Sequence, residues 1–114
     1  MKTFQLLSLA LLCTLIVACS ANDKPAVPVI QKATVQLPTL KCNSCVRHIK
    51  HALSGVDGIN DVAINLDAKN AEITYSSDKI DLPKIELAIA KSGYDANNVK
   101  RDTAAYAGLA ECCK

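Results

Sequence analysis

Apolar positions change their spacing along the chain, from every second residue to every third or fourth and back, and each change marks a structural element. Thr34-Val35-Gln36-Leu37 alternates as a short strand, and Pro38 stops it. Residues 38–44 then form a loop. From Cys45 onward Val46, Ile49 and Leu53 fall on one helical face, with Arg47 and His51 opposite, and Ser54-Gly55 ends that helix. Asn60 to Leu66 alternates again: Val62, Ile64 and Leu66 point one way, Ala63 and Asn65 the other. Residues 67–70 make a turn. Ala71, Ile73 and Tyr75 mark a further strand against Glu72 and Thr74. Asp81 is placed to cap a second helix, Pro83 fits its first turn, and Leu82, Ile85, Ala88 and Ile89 form its apolar stripe. Gly93 closes it, and 96–100 reads as a last strand. The order β-α-β-β-α-β predicts an α+β, ferredoxin-like fold: an antiparallel sheet with both helices on one face.

The start of the chain has a different character. One positive charge at Lys2 precedes an almost wholly apolar run from Phe4 to Val17, too short to span a bilayer comfortably, in the order of a secretory signal. Ile16-Val17-Ala18-Cys19 resembles the lipobox of bacterial lipoproteins. That resemblance implies cleavage of residues 1–18, lipidation of Cys19 and a membrane anchor facing the periplasm of a bacterial cell envelope. The alternative is ordinary signal cleavage near Ala18, with Cys19 an incidental thiol. Residues 19–31 hold two prolines and no period, and read as a flexible tether to a folded part over 32–101.

Thirteen Lys and Arg against eleven Asp and Glu give a net charge of +2 without a basic run, so nucleic acid is excluded as an expected partner. Of six cysteines, Cys13 leaves with the signal and Cys19 takes the lipid, which leaves Cys42, Cys45, Cys112 and Cys113 for chemistry. An exported protein meets an oxidising compartment, where cysteines are often paired.

Cys42-Asn43-Ser44-Cys45 sets two thiols between the first strand and the first helix. The curl of the chain into the helix lets both sulfurs converge on one ion. The helix N-terminus stabilises thiolate, and Lys41 adds a positive charge alongside. Two thiolates without a neighbouring carboxylate or second sulfur pair suit Cu(I) or Hg(II), which accept low coordination; Zn(II) prefers four ligands and fits less well.

Leu40-Lys41-Cys42-Asn43-Ser44-Cys45 resembles the Met-x-Cys-x-x-Cys loop of the heavy-metal-associated domain family, which includes copper chaperones and periplasmic mercury-binding proteins. Gly55-Val56-Asp57-Gly58-Ile59 and Ser92-Gly93-Tyr94-Asp95 are similar to that family's turns after its two helices. The resemblance implies reversible binding by Cys42 and Cys45 and handover by ligand exchange to a metal transporter or metal-transporting ATPase, with no enzymatic step. It also implies that Leu40 packs beneath the loop in the usual Met position, and that Tyr94 lies near the site.

Taken alone, a Cys-x-x-Cys also fits a thiol–disulfide redox protein. A thioredoxin-like chain needs a longer unit, however, and Asn43-Ser44 lacks the Gly-Pro frequent between redox cysteines. His48 and His51 suggest a Cys-x-x-Cys-x-x-His zinc site at first sight, but His51 faces away from the apolar stripe and His48 lies on its flank, so both read as surface residues. The segment 102–114 reads as a short helix capped by Thr103, with Tyr106, Leu109 and Cys113 docking on one face while Cys112 points elsewhere. Its vicinal Cys112-Cys113 pair reads either as extra ligands for the same ion or as an oxidisable end.

Overall fold

The computed structural model describes residues 27–114; Cys13, Cys19 and the expected signal lie outside the described residues. Three strands, β1 (Ile30–Gln36), β2 (Ile59–Asn65) and β3 (Asn70–Ser76), form an antiparallel sheet in the order β1-β3-β2. Two helices, α1 (Asn43–Ser54) and α2 (Leu82–Lys91), lie between and after them, followed by a short helix α3 (Thr103–Ala107) and one 3-10 turn at Glu111–Cys113. β1 starts at Ile30, inside the stretch read as tether.

The alternation seen in the sequence becomes rows across the sheet. Val35 pairs with Ala71, which pairs with Ile64; Ala33 pairs with Ile73, which pairs with Val62. Side chains alternate between sheet faces, so these rows share one face. Ile49 and Leu53 of α1 and Ile85 and Ile89 of α2 close over it as one hydrophobic core. α1 starts at Asn43, two residues before the sequence reading places it, whereas α2 begins and ends as its sequence dictates. The Asp81 carboxylate accepts from the Lys84 N–H at 3.0 Å, with Pro83 in the first turn where no intrahelical donor is needed. Gly93 follows α2 at φ 102°, a left-handed conformation that favours glycine.

The expected fourth strand at 96–100 does not form. Ala96 and Val99 bond to each other's backbone in both directions, at 3.0 and 2.9 Å, around Asn97 at φ 49°. A left-handed residue cannot continue a strand, and Asn-Asn is a sequence that tolerates the tight turn instead. Only the point of that turn reaches the free edge of β1: the Asn97 N–H donates to the Gln36 carbonyl at 2.9 Å, and its side-chain oxygen accepts from the Gln36 N–H at 2.8 Å. The chain then doubles back, and the Asp102 N–H donates to the Ala90 carbonyl at the end of α2.

The short helix α3 also departs from the sequence expectation. Its cap is Asp102, whose carboxylate accepts from the Ala105 N–H at 2.7 Å, rather than Thr103. The docking face does form: Leu109 and Cys113 are buried, and Tyr106 packs at their side under the Arg101 guanidinium. Gly93 lies directly beneath this segment.

Candidate metal centre

The Cys-x-x-Cys loop turns into α1 as expected. Cys42 occupies the cap position with extended backbone, and its carbonyl accepts from the Cys45 N–H at 3.0 Å. This folds the loop so that the two sulfurs stand 3.3 Å apart. Leu40 is fully buried beneath the loop, as the family resemblance implies.

The two thiols have unequal surroundings. Cys42 is half-buried, whereas Cys45 has 0% exposure and continues the core stripe of α1, Cys45–Ile49–Leu53. The sequence reading places Cys45 at the helix N-terminus and starts the apolar stripe at Val46. Cys45 sits one helical turn before Ile49, so the same period that buries Ile49 buries it too.

Cys42 has its thiol pKa lowered to about 6, chiefly by the Cys45 backbone N–H and next by the Cys112 thiol. A site that stabilises thiolate near neutral pH is ready for a soft metal ion.

The segment 102–114 comes back to this loop. Cys112 is exposed, yet its sulfur stands 3.2 Å from that of Cys42, so it points at the site and not away from it. Cys113 is 4% exposed, with its sulfur 3.7 Å from Cys42 and 3.9 Å from Cys112. Burial and the neighbouring Cys45 thiol push the Cys113 thiol up to about 12. The Lys41 ammonium donates to the Lys114 carbonyl, tying the end of the segment to the front of the loop. The second thiol pair, read from the sequence either as extra ligands or as an oxidisable end, therefore lies beside Cys42, with Cys112 turned toward the loop rather than elsewhere. Spacing along the sequence could not show this, because the approach depends on the turn at Asn97.

Tyr94 is fully buried behind the thiols. Burial raises its phenol far above the usual range, and its hydrogen bond with Cys113 adds to this, so it stays protonated. The phenol oxygen lies 3.3 Å from His48 Nδ1, and the two rings meet edge to face. His48 is exposed and joins the site through Tyr94, a contact the sequence reading missed. His51 stays on the outer face of α1. Among the described residues, the potential ligand atoms that cluster are those of Cys42, Cys112 and Cys113, with no histidine or carboxylate among them.

The heavy-metal-associated domain family matches residues 34–95, more than half of the chain, and includes both the thiol loop and the Gly-Tyr turn. The chain belongs to that family. It is 30% identical over 80 residues to a mercuric transport protein periplasmic component of Acinetobacter calcoaceticus, covering 70% of this chain and 88% of the relative. It is 31% identical over 62 residues to the copper chaperone CopZ of Staphylococcus saprophyticus, covering 54% and 91%. Among solved structures it resembles oxidized MerP from Ralstonia metallidurans, with 28% identity, a TM-score of 0.58, and coverage of 60% of this chain and 96% of that one. These relationships support the ferredoxin-like class despite the missing edge strand. Cys112 and Cys113 lie beyond the last residue of the family match.

Proposed function

We propose that this protein binds a soft, thiophilic ion, Cu(I) or Hg(II), through Cys42 and Cys45, and carries, sequesters or hands it to a metal transporter. The ion is cargo, and handover is an exchange of thiolates with no oxidation and no bond-making catalysis. The observation that carries this reading is the 3.3 Å approach of two sulfurs on the first turn of α1, with the Cys42 thiolate stabilised there. Relatives named as mercuric transport proteins and copper chaperones support the same class of cargo.

The apolar run before Cys19 supports export and a lipid anchor facing the periplasm, and the mercuric relatives are named periplasmic. A metal-transporting ATPase is a fitting recipient: the chain is 33% identical over 73 residues to Copper-transporting ATPase 2 of Rhizobium meliloti, spanning 9% of that protein. Membrane fractions of cells making Cys19→Ala should lose the protein to the soluble fraction; retention would refute the anchor.

The metal assignment is tested on the full, reduced chain carrying Cys112→Ser and Cys113→Ala, which isolates the loop pair. Competitive titration should find one tightly held Cu(I) or Hg(II), lost when Cys42→Ser is added. Tight binding that survives Cys42→Ser would refute the site, and turnover of disulfide substrates without metal retention would favour the redox alternative.

A further inference from the structure

Two groups of thiols share one sulfur. Cys42 pairs with Cys45 at 3.3 Å, and separately forms a triad with Cys112 and Cys113, all three sulfurs within 4.8 Å of one another. At the Zn–S length of about 2.3 Å, two thiolates in line stand about 4.6 Å apart, three in a trigonal plane about 4.0 Å and four at tetrahedral corners about 3.8 Å. The triad separations of 3.2, 3.7 and 3.9 Å are well short of the linear spacing and in the range of sites with three or more sulfurs. A tetrahedral Zn(II) site needs four donors; the fourth sulfur, Cys45, stands 3.3 Å from Cys42 but is not among the three ligand atoms that all lie within 4.8 Å of one another.

The arm that brings these thiols is anchored rather than loosely apposed. Asp102 fastens its start to Ala90 and caps α3, Leu109 is buried over Gly93, Cys113 enters the core, and Lys41 holds Lys114. The exposed sulfur of the triad, Cys112, is also the one most open to an incoming ion.

We propose that Cys112 and Cys113 are metal ligands, and that with Cys42 they form a trithiolate seat for a soft ion, overlapping the Cys42–Cys45 seat. This inference rests on the cargo reading above and deepens it. Each thiol that ligates releases its proton to solvent. Transfer from the triad to the loop pair forms the bond to Cys45, which gives up its proton, as those to Cys112 and Cys113 break and their thiolates take up protons from solvent, with no change of oxidation state.

Sulfur coordination of Hg(II) by X-ray absorption, on the full reduced chain under conditions where the loaded protein stays monomeric, tests this directly. Cys112→Ser is the comparison, because Cys112 is exposed and its replacement leaves the core intact. Three sulfurs in the wild type, two in Cys112→Ser and an affinity at least tenfold lower in the variant are expected. Two sulfurs in both, with equal affinity, would overturn the trithiolate seat and leave the loop pair standing. Three sulfurs in both would overturn the assignment of Cys112. An ion retained by neither protein would overturn this inference and the cargo reading together.

Discussion

The sulfurs of Cys42 and Cys112 stand 3.2 Å apart although 70 positions separate them in the chain. That approach is made by a turn in the place of a strand. Were residues 96–100 to run along the free edge of β1, the following residues would be carried past the sheet. Asn97 turns the chain instead, and Asp102 ties it to the end of α2, beside the helix that bears Cys42 and Cys45. The turn at Asn97 and the tie at Asp102 together accompany the return of the chain to the thiol loop.

Thiol reactivity should divide along the same lines. Cys42, lowered to about 6 by the Cys45 N–H and by Cys112, presents thiolate above that pH, whereas Cys113, raised to about 12 by burial, stays a thiol through the neutral range. Alkylation followed by peptide mass spectrometry should show Cys42 labelling rise through about pH 6 and Cys113 remain slow at pH 8. Cys112→Ala removes one stabilising partner and should move the Cys42 profile upward. A Cys42 profile that rises only above pH 8 would refute the assignment.

The two loop cysteines should also differ in stability. Cys45 is wholly enclosed in the core, so Cys45→Ser buries a hydroxyl in its place, at a cost of about 1–3 kcal/mol. Cys42 is only half-buried at the edge of the core and holds the α1 cap position, where Ser is favoured, so Cys42→Ser should not lower the urea midpoint. Equal midpoints for the two variants would contradict the burial of Cys45.

Local periodicity carried most of the fold. Val35, Ala71 and Ile73 face the core because strands alternate, and Ile85 and Ile89 because α2 repeats every 3.6 residues. The thiol loop was legible because its chemistry is contiguous. What escaped the sequence was long-range: Cys112 against Cys42, and His48 against Tyr94. The missed strand has a local cause, since Asn97-Asn98 signals a turn, but Ala96 and Val99 flank it with apolar residues that imitate a strand.

Asp102 makes the arm separable from the rest. Its carboxylate bonds the Ala105 N–H at 2.7 Å, and its own N–H bonds Ala90. Asp102→Ala loses the first contact and keeps the second, at a cost of about 1 kcal/mol to α3. Amide exchange should quicken in residues 103–113 and stay unchanged in β3 and α1. Uniform acceleration across the domain would mean that the arm unfolds only with the whole.

Gly93 is where the arm and the domain press closest. A Cβ built there would stand 3.0 Å from the Tyr106 nitrogen and 3.1 Å from a Leu109 methyl, and φ 102° is strained for any L side chain. Gly93→Ala therefore meets two penalties, a backbone one and a displacement of α3, together on the order of 1–3 kcal/mol. Displacement should free Cys113, so its alkylation at pH 8 should accelerate along with a lower unfolding midpoint. A lower midpoint with Cys113 still protected would assign the cost to the backbone alone and keep the arm docked. An unchanged midpoint would contradict the close packing of the arm on Gly93, and with it the anchoring that holds Cys112 at Cys42.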